Sequence, residues 1–362
     1  MLVVIAVSLL ALFLTYLESR GLKGGMKVGF ALVTILGCIH YNYGNDYMSY
    51  YNLYDKVAST PFNINAVING EIFHDVGWVI LNYAFKYLGG FFSLVAILNI
   101  LQNIIIYKFI SRNVESNWRI FAVFIYLFST NFYLLNFSMM RQGLVVALFI
   151  FVWQFIKDKR WVISLLVLFG STFVHSSAII LLPFAFWGYL PMKNVKVIVS
   201  FYTLIILALA LNASTVSVIL EQVLAQDNFQ VYATRYSDNN DVGSRGIGFI
   251  INILPLLISI IYLIRHHSSR DADGLLILLY MCSFLVMPFS NKISTVGRLG
   301  IYFGAVGIAA LPKLYSRIKP YYLKFSLTSL FVLITLYDYY LFFSSETFGR
   351  AYSDFHTIFE LL

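Results

Sequence analysis

Apolar runs of roughly 15 to 22 residues recur from one end of this 362-residue chain to the other, and no other feature restricts its architecture so strongly. A helix rises about 1.5 Å per residue, so each run crosses a hydrocarbon core of roughly 30 Å, the shorter ones with some mismatch. The runs fall at 2–17, 28–42, 91–110, 119–137, 142–156, 161–175, 178–190, 197–213, 247–264, 275–289, 299–312 and 321–343. A further apolar segment, 76–88, stops at Gly89-Gly90 and is expected to dip into one leaflet without crossing. The expected fold is all-α: a polytopic transmembrane bundle of about 12 helices plus a short re-entrant or interfacial helix. Only 12% of residues are charged, against about a quarter in soluble domains, and no polar stretch is long enough for a separate soluble domain. Residues 1–362 are therefore expected to form a single integral membrane domain.

The first run has no basic flank before it and no small-residue cleavage site after it, so it is expected to be retained as a helix. Cys38 and Cys282 fall within apolar runs, as packed thiols rather than a disulfide or zinc framework.

The net charge of +8 could suggest nucleic acid, but the placement of the charges excludes it. Seventeen of the 25 Lys and Arg residues sit in alternate loops, among them Arg20, Lys23, Lys27, Lys108, Arg112, Lys157, Arg160, Lys313 and Lys324. Loop charge bias sets orientation, which places these loops in the cytoplasm and both termini outside. The two long polar segments, 43–75 and 214–246, then face outward, and long loops in compact proteins are usually functional.

Three outward arginines open inward-running helices: Arg141, Arg245 and Arg298. A helix N-terminus favours an anion, and the guanidinium fork matches phosphate oxygens, so these residues, with Arg235 nearby, are candidate diphosphate ligands. His175 ends helix 161–175, and histidine is the residue type best suited to acid–base work near neutrality. Asp46 lies among Tyr47, Tyr50 and Tyr51, a composition suited to sugar hydroxyls and pyranose faces, although interfacial tyrosines also form aromatic belts. Asp75 begins segment 76–88, where it could serve as an N-cap. His74 and Glu71 read as ordinary loop polar residues. The Asp271-Ala272-Asp273 triplet matches a metal-binding D-x-D pattern but lies in a short cytoplasmic loop, as does His266-His267; a solvated turn is the better reading. Neither metal nor nucleotide cofactor is expected.

Asn45-Asp46-Tyr47-x-x-Tyr50-Tyr51, Met140-Arg141-Gln142-Gly143, Phe173-x-His175-Ser176-Ser177 and Gly297-Arg298-x-x-x-Tyr302-Phe303 occur in that order. With the topology, this pattern resembles the EpsG family of Wzy-like polysaccharide polymerases. Asp75-Val76-Gly77 stands where the family typically has Glu-Pro-Gly. The resemblance implies a GT-C-like fold and a metal-independent, inverting glycosyltransferase of the bacterial cytoplasmic membrane. Such an enzyme would polymerise undecaprenyl-diphosphate-linked oligosaccharide repeat units into O-antigen, capsule or exopolysaccharide at the outer face. Arg141, Arg298, Arg245 and Arg235 would then stabilise the diphosphate, with His175 or Asp46 as base and Asp75 orienting acceptor hydroxyls. Tyr47, Tyr50, Tyr51, Gln142 and Tyr302 would contact substrate. Membrane lipids, a chain-length regulator and a flippase are the implied partners. A glycan ligase and a flippase of lipid-linked sugars are the competing readings; transporters, however, usually hold their charges near the bilayer midplane.

Overall fold

The computed structural model describes residues 1–212, 247–265, 272–290 and 294–361. The long segment 214–246 with Arg235 and Arg245, together with His266, His267 and Asp271, lies outside the described residues. The chain divides into two compact units, one formed by Met1–Trp187 with Ile318–Leu362 and the other by Gly188–Arg317.

The first unit contains α1 (Leu2–Ser19), α2 (Gly25–Ile39), β1 (His40–Tyr41), α3 (Tyr47–Ser59), α4 (Ile64–Ile68) and α5 (Val76–Tyr87). It continues through α6 (Gly90–Asn113), α7 (Arg119–Phe128), α8 (Leu135–Ser138), α9 (Met140–Lys157) and α10 (Trp161–Val174). A 3₁₀ helix, Ser176–Tyr189, leads away from α10. The second unit holds α11 (Val195–Leu211), α12 (Ile247–Arg265), α13 (Ala272–Met281), α14 (Ser283–Ser290) and α15 (Ser294–Ser316). The chain then returns to the first unit with α16 (Tyr321–Ser344), α17 (Glu346–Ala351) and β2 (His356–Thr357).

Among the described residues, six helical segments are long and apolar enough to cross a membrane. They are α1, α6, α9, α16, Met192–Leu209 and Arg298–Ser316, and further apolar helices of 10–17 residues accompany them. The protein is a helical, multi-pass membrane protein. Two expected spans are interrupted. Segment 119–137 breaks after α7, where Ser129 turns extended and the chain re-enters helix as α8. Segment 275–289 breaks at Cys282 between α13 and α14. Segment 43–75 is no open loop, since it folds into α3 and α4. Leu53 and Val57 of α3 and Val67 of α4 close a small apolar core with Ile72, Phe73, Val76, Val79 and Tyr83.

Between membrane helices there is little hydrophobic drive, so close packing and interhelical hydrogen bonds must hold them. Along α1, the buried positions Val4, Ser8, Ala11 and Thr15 form one narrow stripe of mostly small side chains, and α2 packs on this helix. On α6, Asn99, Gln102 and Asn103 share one buried face. The Tyr126 hydroxyl of α7 donates to Asn103 Oδ1 at 2.8 Å and accepts from Asn136 Nδ2 of α8 at 3.2 Å. This network ties the break after α7 to α6 and so fixes where α9 begins.

The first unit has two chemically different ends. At one, the Met1 ammonium donates to the Ser353 carbonyl at 2.6 Å, β1 pairs antiparallel with β2, and Gly44 N–H donates to the Ala351 carbonyl at 2.9 Å. At the other, Arg119 pairs with Glu18 at 3.1 Å, Arg112 donates to Gln154 at 2.6 Å, and Lys324 lies over the Trp118 ring. The basic loops of this unit gather at that second end.

Candidate functional site

The N-terminus of α5 begins immediately after Asp75, which occupies the N-cap position, yet its carboxylate makes no capping bond to that helix. Partners from elsewhere in the chain, with its neighbour His74, claim it instead. Arg141 Nη1, in the first turn of α9, donates to Asp75 Oδ2. The same oxygen lies 3.4 Å from His74 Nε2 and 3.6 Å from His175 Nδ1. Asp75 Oδ1 accepts the backbone N–H of Ser176 at 3.1 Å. A charge-assisted bond to a guanidinium is roughly twice as strong as a neutral one, which explains why capping loses.

Two backbone features bring these groups together. His175 is the C-cap of α10 and turns extended, so the next N–H, that of Ser176, opens the following 3₁₀ helix without an intrahelical acceptor. Gly77 packs on Phe173: a Cβ there would lie 2.8 Å from Phe173 Cβ and 2.9 Å from its carbonyl carbon and oxygen. Only a glycine lets the start of α5 approach the end of α10 this closely. At α9, Gly143 faces Asn136 Oδ1 and Gln102 Nε2, where a Cβ would stand 3.2 Å from each. The glycines of both short motifs thus serve packing that sets Asp75, Arg141 and His175.

The Asp75 side chain is 1% exposed, Arg141 16%, His175 15% and His74 47%. Aromatic rings flank the guanidinium, with Phe73 at 4.6 Å and Tyr50 at 5.6 Å from its carbon, and Tyr50 stacks edge-on against Trp78. The Tyr50 hydroxyl also accepts from Arg141 Nε at 3.4 Å. Burial works to raise the Asp75 carboxyl, but His175, Arg141 and His74 outweigh it and hold the group below its ordinary value. Burial pushes the His74 imidazole down; Asp75 pulls it up, while Arg141 and His175 reinforce the depression. The site is therefore an ionised, enclosed carboxylate holding one fixed guanidinium and facing two imidazoles. Among the described residues His175 Nδ1 has no hydrogen-bond partner, because 3.6 Å to Asp75 is an electrostatic contact rather than a hydrogen bond.

The other expected residues fall elsewhere. Asp46 occupies the N-cap position of α3, half-buried one turn before Tyr50, without a side-chain capping bond, and its N–H donates to Ser138 Oγ at 3.1 Å. Tyr47 is fully buried, its hydroxyl on the His40 carbonyl at 3.3 Å, and Tyr51 packs edge-on against Phe91. Gln142 is buried beside Arg141 in α9. Arg298 and Tyr302 belong to the second unit; α15 starts a turn earlier than expected, so half-buried Arg298 lies inside it, and Tyr302 is fully buried. Arg235 and Arg245 are outside the described residues.

His74, Phe73 and the Ser176 amide join the site without having been singled out as functional. The tight run Phe73-His74-Asp75 before a helix-opening glycine was the available signal. Glu71, its neighbour, stays on the surface with Asn69. Among the described residues, no group of three His, Cys, Asp or Glu side chains could hold a metal ion, and Arg141 already occupies the Asp75 oxygen that the two histidines face.

No curated protein and no solved structure matches the chain. The EpsG sequence pattern, by contrast, runs through residues 26–355, spanning every group gathered around Asp75. The chain belongs to the EpsG family, a Wzy-like polymerase-related family of polysaccharide-polymerase-type membrane proteins.

Proposed function

We propose that the protein polymerises lipid-diphosphate-linked oligosaccharide repeat units and that the Asp75–Arg141–His175 cluster is its reacting centre. The observation that carries this reading is one buried carboxylate placed against a guanidinium and two imidazoles drawn from three separate segments. Transfer to a sugar hydroxyl needs both a base and a fixed positive charge, and the cluster offers both.

In this reading His175 turns Nδ1 toward Asp75 and presents Nε2 to the acceptor hydroxyl. The hydroxyl oxygen attacks the anomeric carbon, its proton passes to Nε2, and the carbon–oxygen bond to the diphosphate breaks with inversion. The electron pair leaves on the diphosphate, toward which Arg141 directs positive charge. Asp75, enclosed as it is, acts as a positioning residue: it orients the imidazole and holds Arg141 still, in place of the direct hydroxyl contact expected from the resemblance. Arg298, Arg235 and Arg245 are proposed further diphosphate ligands, and Asp46 and Tyr51 proposed acceptor-side contacts. The site is assigned to the outer face of the cytoplasmic membrane, with both termini outside. Support for this comes from the clustering of basic loops at the end of the first unit away from Asp75.

The test is chain extension by purified protein on synthetic polyprenyl-diphosphate repeat units, without nucleotide sugar and with chelator present. Products of several repeats are expected from the native protein and none from Arg141→Ala or His175→Ala that remain folded. Full activity in both variants would sink the assignment of the site; single transfers to a different lipid acceptor would point to a ligase.

A further inference from the structure

At the basic end of the first unit, α6 and α9 enclose a 650 Å³ cavity far from Asp75. Lys157 follows Arg141 by sixteen residues on α9, so about 24 Å of helix separates the cavity mouth from the cluster described above. Both helices are membrane spans by length and composition, which puts the two sites at opposite interfaces of the bilayer.

The cavity is amphipathic. Leu101, Ile104 and Phe151 line its apolar wall and are exposed by 39%, 45% and 37%, as side chains facing lipid are. Lys108, Arg112, Lys157 and Arg160 surround its polar end, with Asp158 as the one acid. Among the described residues none of these four cations forms an ion pair. Arg112 is nevertheless held in place, its Nη1 donating to the neutral Gln154 Oε1 at 2.6 Å, while Trp153 Nε1 donates to Asn113 Oδ1 at 3.2 Å beside it. Basic residues at helix C-termini commonly complement the helix dipole or snorkel. Neither role calls for a cavity between two spans with unmatched charge at one end and hydrocarbon-facing walls at the other.

We propose that this cavity is a binding site for one membrane phospholipid with an anionic phosphodiester headgroup. The phosphate sits among Arg112, Lys108, Lys157 and Arg160, and the acyl chains lie along Leu101, Ile104 and Phe151. A charge-assisted pair with a guanidinium suits a phosphodiester, and the ammonium groups add field without demanding geometry.

Native mass spectrometry of the full chain, exchanged into an equal mixture of phosphatidylglycerol and phosphatidylcholine with identical acyl chains, tests this. One phosphatidylglycerol is expected to remain bound in preference to phosphatidylcholine. At about fivefold per basic residue near an anionic lipid, Arg112→Ala/Lys157→Ala should weaken its retention roughly 30-fold. Lys23→Ala/Lys27→Ala, which removes equal charge from another basic loop, should leave it within about twofold. Ile104→Trp, which keeps every charge, should lower retention by filling the apolar wall. Equal retention of both lipids, equal loss in the two double variants, or full displacement by inorganic phosphate at 10-fold excess over lipid (roughly) would overturn the proposal; the last would mark a free-anion site.

Discussion

Replacing Asp75 by Asn preserves the shape of the side chain while removing its charge. The Ser176 N–H keeps an acceptor, because the amide oxygen can take the place of Oδ1. Arg141 loses its counter-ion at a position where the two side chains are 16% and 1% exposed. Breaking a buried pair in this way costs about 3–5 kcal/mol, since the remaining charge stays desolvated. The Phe73 and Tyr50 rings still flank the guanidinium and soften the loss by about 1 kcal/mol, which favours the lower end of the range. At roughly 2–4 °C per kcal/mol for a unit of this size, melting should fall by about 6–12 °C. Heating detergent-solubilised protein with a thiol-reactive fluorophore reads this directly, because Cys38 is a partly buried free thiol within the same unit. Arg141→Met added to Asp75→Asn should restore most of the lost stability, since no unpaired charge remains, yet chain extension should stay absent. A drop below about 2 °C in the single variant would mean that the pair is effectively solvated, and the account of a desolvated site would fail.

Changes at three further positions probe the surroundings of that pair. Gly77→Ala places a Cβ 2.8 Å from Phe173 Cβ and against its carbonyl; it should cost about 1–3 kcal/mol and reduce activity by pushing α5 off α10, and unchanged melting would show that the contact yields freely. Tyr50→Phe gives up the bonds its hydroxyl accepts from Arg141, the one from Nε at 3.4 Å, and should change melting by no more than about 3 °C, whereas Tyr50→Ala, which also removes the ring from Arg141 and Trp78, should cost several times as much. The folded-state pKa of His74 lies below its ordinary 6.5, so the folded protein binds fewer protons than the unfolded chain once pH falls below that value. Stability should therefore decline as pH drops through the window beneath 6.5, with no contribution above it, and His74→Gln should flatten that part of the melting-versus-pH curve; equal slopes would refute the assignment.

The helical membrane character, most of the helix boundaries, and the placing of Arg141 and His175 at helix ends are legible in the linear chain because each leaves a local mark: a run of apolar residues, a basic loop, or a polar residue at the end of such a run. The breaks at Ser129 and Cys282 are less visible, since the residues on both sides remain apolar, and at the first of them the Tyr126 bonds to Asn103 and Asn136 form only once the chain is folded. Asp75 looks locally like a helix cap, and His74 like a loop residue. Their roles depend on partners 66 and 101 residues away in sequence, and no periodicity encodes that separation. Tyr47 shows the converse: its motif suggests substrate and its interfacial setting an aromatic belt, but the residue fills the core against His40, Tyr41 and Phe91.

The shortened acid at position 75 offers a sharper separation of charge from geometry. Where the resemblance leads one to expect Glu-Pro-Gly, the chain has Asp75-Val76-Gly77, and the carboxylate meets Arg141, His74, His175 and Ser176 together. Its pocket is closed, so one added methylene must displace either the guanidinium or the end of α10, and Gly77 already packs that end at contact distance. Asp75→Glu keeps the charge that Asp75→Asn removes. It should therefore melt only about 2–8 °C below the native protein, corresponding to about 1–2 kcal/mol of overpacking rather than an orphaned cation. Activity should nevertheless fall by at least about tenfold, because a misplaced base loses far more than a misplaced structural contact. If the glutamate variant extends chains at the native rate, the position of the carboxylate has no bearing on the reaction, and Asp75 serves only to neutralise Arg141.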